Sequence, residues 1–249
     1  MRYNLKGTIC ADEDAPIYRW FGLAAVSPSD IRQALADNPA GEEFVLEINS
    51  GGGSVYAGFE MYSLLRGAAV PTRAEVQSLA GSAASVVLAG ADVAAASPVG
   101  QVMIHLPSTW TEGNQIVHRE SVQMLEAVTG SIIAAYETKV KGKTSRDALR
   151  RMMDRETFLT AQEALDAGLL DEIIGAGAGT PVNPMNVFNA VGGAPDIEKL
   201  RAAYREAHAD GGTPPAPEEM DKPVSNWNTA RARAIALAEA DMNMTILYD

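Results

Sequence analysis

A glycine-rich turn between an apolar run and a helical pattern is the feature that most constrains the fold of this chain. Residues Phe44 to Ile48 (FVLEI) are apolar and β-prone, and they stop at the turn Asn49-Ser50-Gly51-Gly52-Gly53. Beyond the turn, apolar side chains recur at helical spacing at Val55, Phe59, Met61, Leu64 and Leu65. The sequence therefore predicts a strand, a tight glycine turn and a helix.

The same alternation of strand and helix continues along the chain. Strands are predicted over residues 71–76, 92–96, 102–105 and 169–174, and a helix of small residues over 81–90. A long helix is predicted over 115–141, followed by two shorter helices that Ser145 and Thr160 cap. Strands that alternate with helices predict an α/β fold with a largely parallel sheet.

Composition and charge exclude several classes of function. The 249 residues carry a formal charge of −12, so nucleic acid is not an expected partner. Cys10 is the only cysteine, which excludes an internal disulfide and a cysteine zinc site. A nucleotide-binding loop requires a lysine after its glycines, and no lysine follows the glycines here. We expect no cofactor and no metal.

The apolar segments predict a soluble protein. The N-terminal residues include early acidic side chains and no apolar core of a secretion signal. The most apolar stretch, residues 79–96, consists largely of Ala, Gly, Ser and Val and is interrupted by Asp92. We therefore expect a cytoplasmic protein without a membrane partner.

The composition changes after Ile174, where a glycine-rich segment is typical of a linker. We predict a compact domain over residues 1–180 and a C-terminal extension over 181–249. Within the extension, helices are expected over 196–208 and 229–240, and residues 211–223, rich in Pro, Gly and Glu, are expected to be disordered or extended.

A serine and a histidine are candidates for nucleophilic catalysis. Ser85 lies in the small-residue segment GSAASV, where the first-turn N–H groups of a helix could stabilise an oxyanion. His105 ends an apolar strand, whereas His118 and His208 are expected to be solvated. The alternatives are tight packing for the serine helix and a core histidine for His105.

Four ordered segments resemble the ClpP family of serine peptidases. They are INSGGGSVYAGFEMYSLL, SLAGSAASVVLAGAD, QVMIHLP, and the run from DRETFLTA to AGLLD, which together cover about residues 40 to 175. The resemblance implies a ClpP/crotonase-like fold of repeated β-β-α units with a long protruding helix, followed by a low-complexity C-terminal tail. It also implies serine-type endopeptidase activity.

The resemblance assigns roles to individual residues. Ser85 matches the nucleophile and His105 the general base, and the oxyanion donors fall on the N–H groups of Gly53 and Val86. The acid of the triad falls on Glu156, where the family has aspartate. Asp154 is the rival, and a Ser-His dyad without either carboxylate stays open. The interval of 20 residues from Ser85 to His105 is a few residues shorter than housekeeping members of the family have.

The sequence ETFLTA and the long polar tail resemble those of ClpP-like peptidases of phages and prophages. This resemblance implies a role in head maturation, with capsid or scaffold protein as substrate. The family also implies a homo-oligomeric ring. The alternatives are a housekeeping subunit of an ATP-dependent protease, an inactive scaffolding subunit, and a crotonase-type enzyme acting on acyl thioesters.

Overall fold

The computed structural model describes residues 1–175 and 196–207, which form two compact units. The first unit contains residues 1–12 and 24–175, and the second contains residues 13–23 and 196–207. The predicted disordered segment 211–223 and the predicted helix 229–240 lie outside the described residues.

Strands and helices alternate through most of the described chain. The strands are β1 (Arg2–Ile9), β2 (Ala25–Val26), β3 (Phe44–Gly53), β4 (Thr72–Gly81), β5 (Val93–Ala96), β6 (Gln101–Ile104), β7 (Thr157–Thr160) and β8 (Glu172–Ile173). The helices are α1 (Ala15–Trp20), α2 (Pro28–Ala36), α3 (Val55–Arg66), α4 (Ala83–Gly90), α5 (Gln115–Val140), α6 (Arg146–Asp154), α7 (Ala161–Ala167) and α8 (Ile197–Ala207).

The strands build one mostly parallel sheet in the order β2-β1-β3-β4-β5-β8. Strand β6 branches from this order, since it pairs in parallel with the end of β4 and antiparallel with β7. The prediction of an α/β fold with a largely parallel sheet is confirmed. Parallel pairing brings the C-terminal ends of β3 and β4 together, and these ends carry the glycine-rich segment and the serine segment.

Several predicted element ends differ from the observed ones for a physical reason. Strand β4 was predicted over residues 71–76, yet it continues to Gly81 because its last residues pair with β6. Helix α4 consequently begins at Ala83. Residues 49–53 were predicted as a turn, yet they extend β3 to Gly53 because they pair with β1 and β4. The predicted caps Ser145 and Thr160 are confirmed, and Glu163 completes a capping box with Thr160.

The C-terminal part of α5 is tied to the sheet by a buried lysine. Lys139 Nζ donates to the backbone carbonyls of Ala91 and Asp92, each at 3.3 Å, and to Asp171 Oδ2 at 2.5 Å. Burial lowers the pKa of Lys139 despite the neighbouring carboxylate. Burial alone would raise the pKa of Asp171, but hydrogen bonds from Ala94 N–H and Lys139 outweigh it and lower that pKa.

The second unit joins α1 to α8. Arg201 Nε donates to Asp14 Oδ1 at 2.9 Å, and the rings of Trp20 and Tyr204 meet edge to face with centroids 5.4 Å apart. Helix α8 agrees with the helix predicted over 196–208 to within one residue at each end. In the part of the chain that the structure describes, none of the helices has the length and apolar character needed to cross a bilayer.

Candidate active site

Ser82 occupies a strained turn between β4 and α4. Its backbone angles are φ +51° and ψ −123°, a conformation that residues other than glycine rarely adopt. Such a conformation costs on the order of 1–3 kcal/mol and persists where the surroundings over-determine it. One restraint is the hydrogen bond from Ser82 N–H to the carbonyl of Met103, at 2.9 Å. The turn places Ser82 at the N-cap of α4.

His105 contacts the side chain of Ser82. Residues Leu79 to Gly81 of β4 pair with Gln101 to Met103 of β6, so the residues that follow these two strands lie close together. His105 Nε2 lies 2.8 Å from Ser82 Oγ, within hydrogen-bond distance. With the ring proton on Nδ1, Nε2 accepts a hydrogen bond from the serine hydroxyl, as a general base requires.

The structure does not bring Ser85 to His105, contrary to the predicted nucleophile–base contact. Ser85 is 2% exposed and lies one helical turn beyond Ser82. Its Oγ donates to the carbonyl oxygen of Ser82 at 2.5 Å and lies 2.7 Å from the hydroxyl of Tyr136. The side chain of Ser85 is therefore engaged inside the protein, and the serine that faces His105 is Ser82.

A sequence signal for Ser82 did exist. The segment GSAAS contains two serines three residues apart, and the resemblance was carried onto the second. Counted from Ser82, the interval to His105 is 23 residues, three more than from Ser85, which reduces the shortfall against the family. A serine that precedes the first helical residue also suits a sharp turn from strand to helix better than one inside the first helical turn.

The glycine-rich end of β3 packs against Ser82. Gly52 has φ +105°, and a Cβ atom there would lie 2.7 Å from Ser82 Cβ and 2.9 Å from Ala83 N. Gly53 has φ +141°, and its Cβ would lie 2.1 Å from the carbonyl oxygen of Ile9. Both positions therefore require glycine, and the backbone at Gly52 lies beside the serine.

Of the two expected oxyanion donors, Gly53 lines the same pocket as Ser82 and His105. Val86 also lines the pocket, but it is the fourth residue of α4, where a backbone N–H already lies within the helical hydrogen-bond ladder. The expected donor role of the Val86 N–H is therefore not supported. Ala83, the first residue of α4 and the one after Ser82, has a first-turn N–H and lines the pocket.

Beside Ser82 and His105 is a pocket of about 220 Å³. Its apolar lining comes from residues on three helices and on the segment after His105: Val55, Val86, Pro107, Ile132 and Tyr136. This size and lining suit a small or medium-sized apolar side chain beside a reactive hydroxyl. Sequence reasoning missed Tyr136, because its place in the pocket depends on how α5 packs on α4.

Neither candidate acid is hydrogen-bonded to His105 in the described structure. Strands β6 and β7 pair Ile104 with Thr157, so one further residue on each strand would set His105 against Glu156. Glu156 adopts φ +49°, and its N–H donates to the carbonyl of Met153 at 3.1 Å. The carboxylate of Asp154 accepts a hydrogen bond from Arg150 at 2.9 Å on the surface.

Comparison with known proteins gives a consistent result. A family model described as Clp protease matches residues 33–177. An ATP-dependent Clp protease proteolytic subunit of Pleurastrum terricola is 33% identical over 134 residues, which cover 52% of this chain and 66% of the relative. The protein of that name from Bacteroides fragilis is 36% identical over 140 residues, 54% of this chain and 65% of the relative.

A third relative is ATP-dependent Clp protease proteolytic subunit 1 of Chlamydia abortus, 34% identical over 145 residues, which cover 55% of this chain and 72% of the relative. The chain spans just under two thirds of the length of the first two relatives.

Proposed function

This chain belongs to the Clp protease family, and we propose that it hydrolyses peptide bonds as a serine peptidase with Ser82 as nucleophile and His105 as general base. The observation that carries the proposal is the 2.8 Å contact between His105 Nε2 and Ser82 Oγ at the strained turn. A weakly nucleophilic hydroxyl needs such a base within hydrogen-bond reach.

The proposed chemistry is acyl transfer in two steps. His105 Nε2 takes the hydroxyl proton as Ser82 Oγ bonds to the carbonyl carbon of the substrate. The N–H groups of Gly53 and Ala83 stabilise the negative oxygen of the tetrahedral intermediate. The C–N bond then breaks, and His105 gives its proton to the leaving amine. A water molecule, activated by His105, hydrolyses the acyl ester and restores the serine hydroxyl.

We propose Glu156 as the group that orients the His105 ring through Nδ1–H. Support comes from the register of β6 and β7, which continues toward a pairing of His105 with Glu156. The side chain of Glu156 is one methylene longer than that of the family's aspartate, and it needs to turn toward the ring when substrate or a neighbouring subunit orders the site. Asp154 is less suited, because its carboxylate already pairs with Arg150.

The substrates that we propose are polypeptides, because a pocket beside a nucleophile can hold one apolar side chain while the backbone lies along the strand ends. We propose a homo-oligomeric ring as the assembly. As the biological role we propose head maturation in a phage or prophage, in which capsid or scaffold protein is cleaved in the host cytoplasm or the prohead. The sequence ETFLTA and the polar tail support this role.

The second candidate function is that of a proteolytic subunit driven by an ATP-dependent partner. It is favoured by the names of the relatives, which are ATP-dependent Clp protease proteolytic subunits. An unfoldase partner allows the degradation of folded proteins, whereas a head-maturation peptidase cleaves its substrate without one. Degradation of a folded reporter only when an unfoldase and ATP are added would favour the second candidate.

A fluorophosphonate probe tests the proposed nucleophile. The assembled full-length protein is incubated with the probe between about pH 6 and about pH 9, a range around the ordinary titration of histidine. Tandem mass spectrometry then localises the adduct within the segment that holds both serines. We expect the adduct on Ser82, no labelling of Ser82→Ala, and continued though slower labelling of Ser85→Ala.

Two outcomes contradict the proposal in different ways. An adduct on Ser85 with unchanged labelling of Ser82→Ala would return the nucleophile to Ser85. Absence of labelling in the assembled wild type across the whole pH range would instead favour an inactive, scaffolding subunit.

A further inference from the structure

Ser85 and Tyr136 form a buried hydrogen-bonded pair beside the nucleophile. A serine hydroxyl has one proton, and Ser85 Oγ donates it to the carbonyl oxygen of Ser82 at 2.5 Å. In its 2.7 Å contact with Tyr136, Ser85 Oγ is therefore the acceptor and the phenol is the donor. The hydrogen bonds thus run in one direction, from Tyr136 on α5 through Ser85 to the backbone of Ser82.

This chain of hydrogen bonds ends on the residue whose backbone is strained. Met103 restrains the N–H side of Ser82, and Ser85 restrains its carbonyl side through both its N–H and its hydroxyl. A strained residue keeps its conformation only if the surrounding contacts over-determine it. Loss of the contacts on the carbonyl side would let the turn relax and would move Ser82 Oγ relative to His105.

We propose that Ser85 and Tyr136 are positioning residues, which hold the Ser82 turn in the geometry that puts its hydroxyl against His105. This inference rests on the proposed function, in which Ser82 is the nucleophile. It assigns a use to the second serine of GSAAS and makes α5 a support of the reacting atoms as well as a wall of the pocket.

The environment of Tyr136 favours a permanent donor. Its side chain is 1% exposed, and burial raises the pKa of the phenol, so the proton stays on the ring oxygen wherever the enzyme works. Among the described residues, Ser85 is the hydrogen-bond partner of this hydroxyl. Removing the phenol oxygen therefore removes one defined contact and little volume.

The first test is kinetic and uses full-length assembled protein with an internally quenched peptide that the wild type cleaves. A small displacement of a reacting group lowers turnover more than binding. We expect Tyr136→Phe and Ser85→Ala each to lower kcat by about tenfold, with KM within about twofold. The kcat of the double variant should be no lower than that of the less active single variant, because both substitutions break the same chain of hydrogen bonds.

Thr129→Val is the matched control for loss of a buried hydroxyl on α5. Thr129 Oγ1 donates to the carbonyl of Leu125 within its own helix, at 2.8 Å, and Thr129 is not among the residues that line the pocket. We expect its kcat to equal that of the wild type. Tyr136→Phe with a wild-type kcat and only a lower melting temperature would overturn the proposal in favour of a purely structural contact.

The second test does not require peptidase activity. The chain has three histidines, so the imidazole ¹⁵N signals of labelled full-length protein can be assigned by single substitution. We expect the His105 Nε2 signal to shift toward that of a non-hydrogen-bonded nitrogen in Tyr136→Phe and to stay unchanged in Thr129→Val. If the wild type proves inactive, the proposed function fails, and an unchanged His105 signal in Tyr136→Phe separately overturns the positioning role.

Discussion

Two buried polar contacts of α5 lie one helical turn apart and serve different ends. At Tyr136 the helix supports the turn that carries Ser82, through the hydroxyl of Ser85. At Lys139 it joins the two residues before β5 to the residue before β8, through the backbone carbonyls of Ala91 and Asp92 and the carboxylate of Asp171. The first contact is neutral and ends on a strained residue, whereas the second is an ion pair between unstrained elements.

The difference predicts which property each contact controls. A hydrogen bond between two neutral hydroxyls contributes little net stability but orients the turn that carries Ser82, so its loss should lower the rate of peptide hydrolysis. A buried ammonium that has left water depends on its partners, so the loss of either charge should appear in the free energy of unfolding. The comparison fails if the two contacts change the same property.

The largest expected effect is on stability, at Lys139. Lys139→Met leaves two carbonyls without their donor and Asp171, whose side chain is 34% exposed, without its cation, so we expect unfolding to cost about 1–3 kcal/mol less. The rate per folded molecule should not change, because the ion pair does not contact the Ser82 turn. Chemical denaturation together with probe labelling of the folded fraction measures both quantities.

Lys141→Met provides the control, since this lysine is exposed on the same helix end. We expect its stability to stay within about 0.5 kcal/mol of the wild type. The double variant Lys139→Met/Asp171→Asn should recover part of the loss, because it removes both charges. A lower labelling rate in folded Lys139→Met would show that the two contacts are not separate.

The next effect is expected on the rate alone, at the candidate acids. Glu156 is exposed and directly precedes β7, so Glu156→Gln should leave the free energy of unfolding nearly unchanged. We expect it to lower kcat by at least about tenfold, equivalent to about 1.4 kcal/mol of activation free energy. Asp154→Asn is the matched variant, for which we expect kcat near that of the wild type. Peptide hydrolysis at saturating substrate measures this effect.

The reverse ranking would assign the acid to Asp154. Equal, small effects of the two substitutions would favour a Ser82–His105 dyad.

How far the sequence predicts this molecule depends on the range of the interactions involved. The strand from Phe44 and the long helix from Gln115 were predicted, because period and helix stop signals are local. The turn predicted over residues 49–53 was wrong, since these residues extend β3 to Gly53 through pairing with β1 and β4. Strand β7 was not predicted, since its four residues are extended through their pairing with β6. The N-terminal strand β1 was also not predicted, although β1 pairs along most of its length with β3.

The candidate site divides in the same way. His105 and Gly53 were identified from the sequence, because each directly follows or ends an apolar strand. The choice between Ser82 and Ser85 depends on where β4 ends, and that point is set by pairing with Met103, twenty residues or more along the chain. The contact of Tyr136 with Ser85 depends on helix packing, which a motif cannot report.

The smallest effect is the dependence of the two contacts on pH. The folded-state pKa of Asp171 lies below its ordinary value of 3.8, because its hydrogen bonds outweigh the effect of burial. The unfolded chain therefore binds this proton more readily, so the stability from Asp171 is present above about pH 4 and is lost as the pH falls through the folded-state pKa. For Tyr136 the folded-state pKa lies above its ordinary value of 10, so its contact stays intact below pH 10.

We therefore expect Asp171→Asn to reduce the acid-induced loss of stability between about pH 4 and about pH 2, in denaturation curves collected across that range. Tyr136→Phe should show the same dependence of stability on acid pH as the wild type. Parallel curves for wild type and Asp171→Asn would mean that Asp171 does not titrate differently in the folded and unfolded chains. The ion pair at Lys139 would then differ from the hydroxyl pair at Tyr136 in what it stabilises, but not in how it responds to protons.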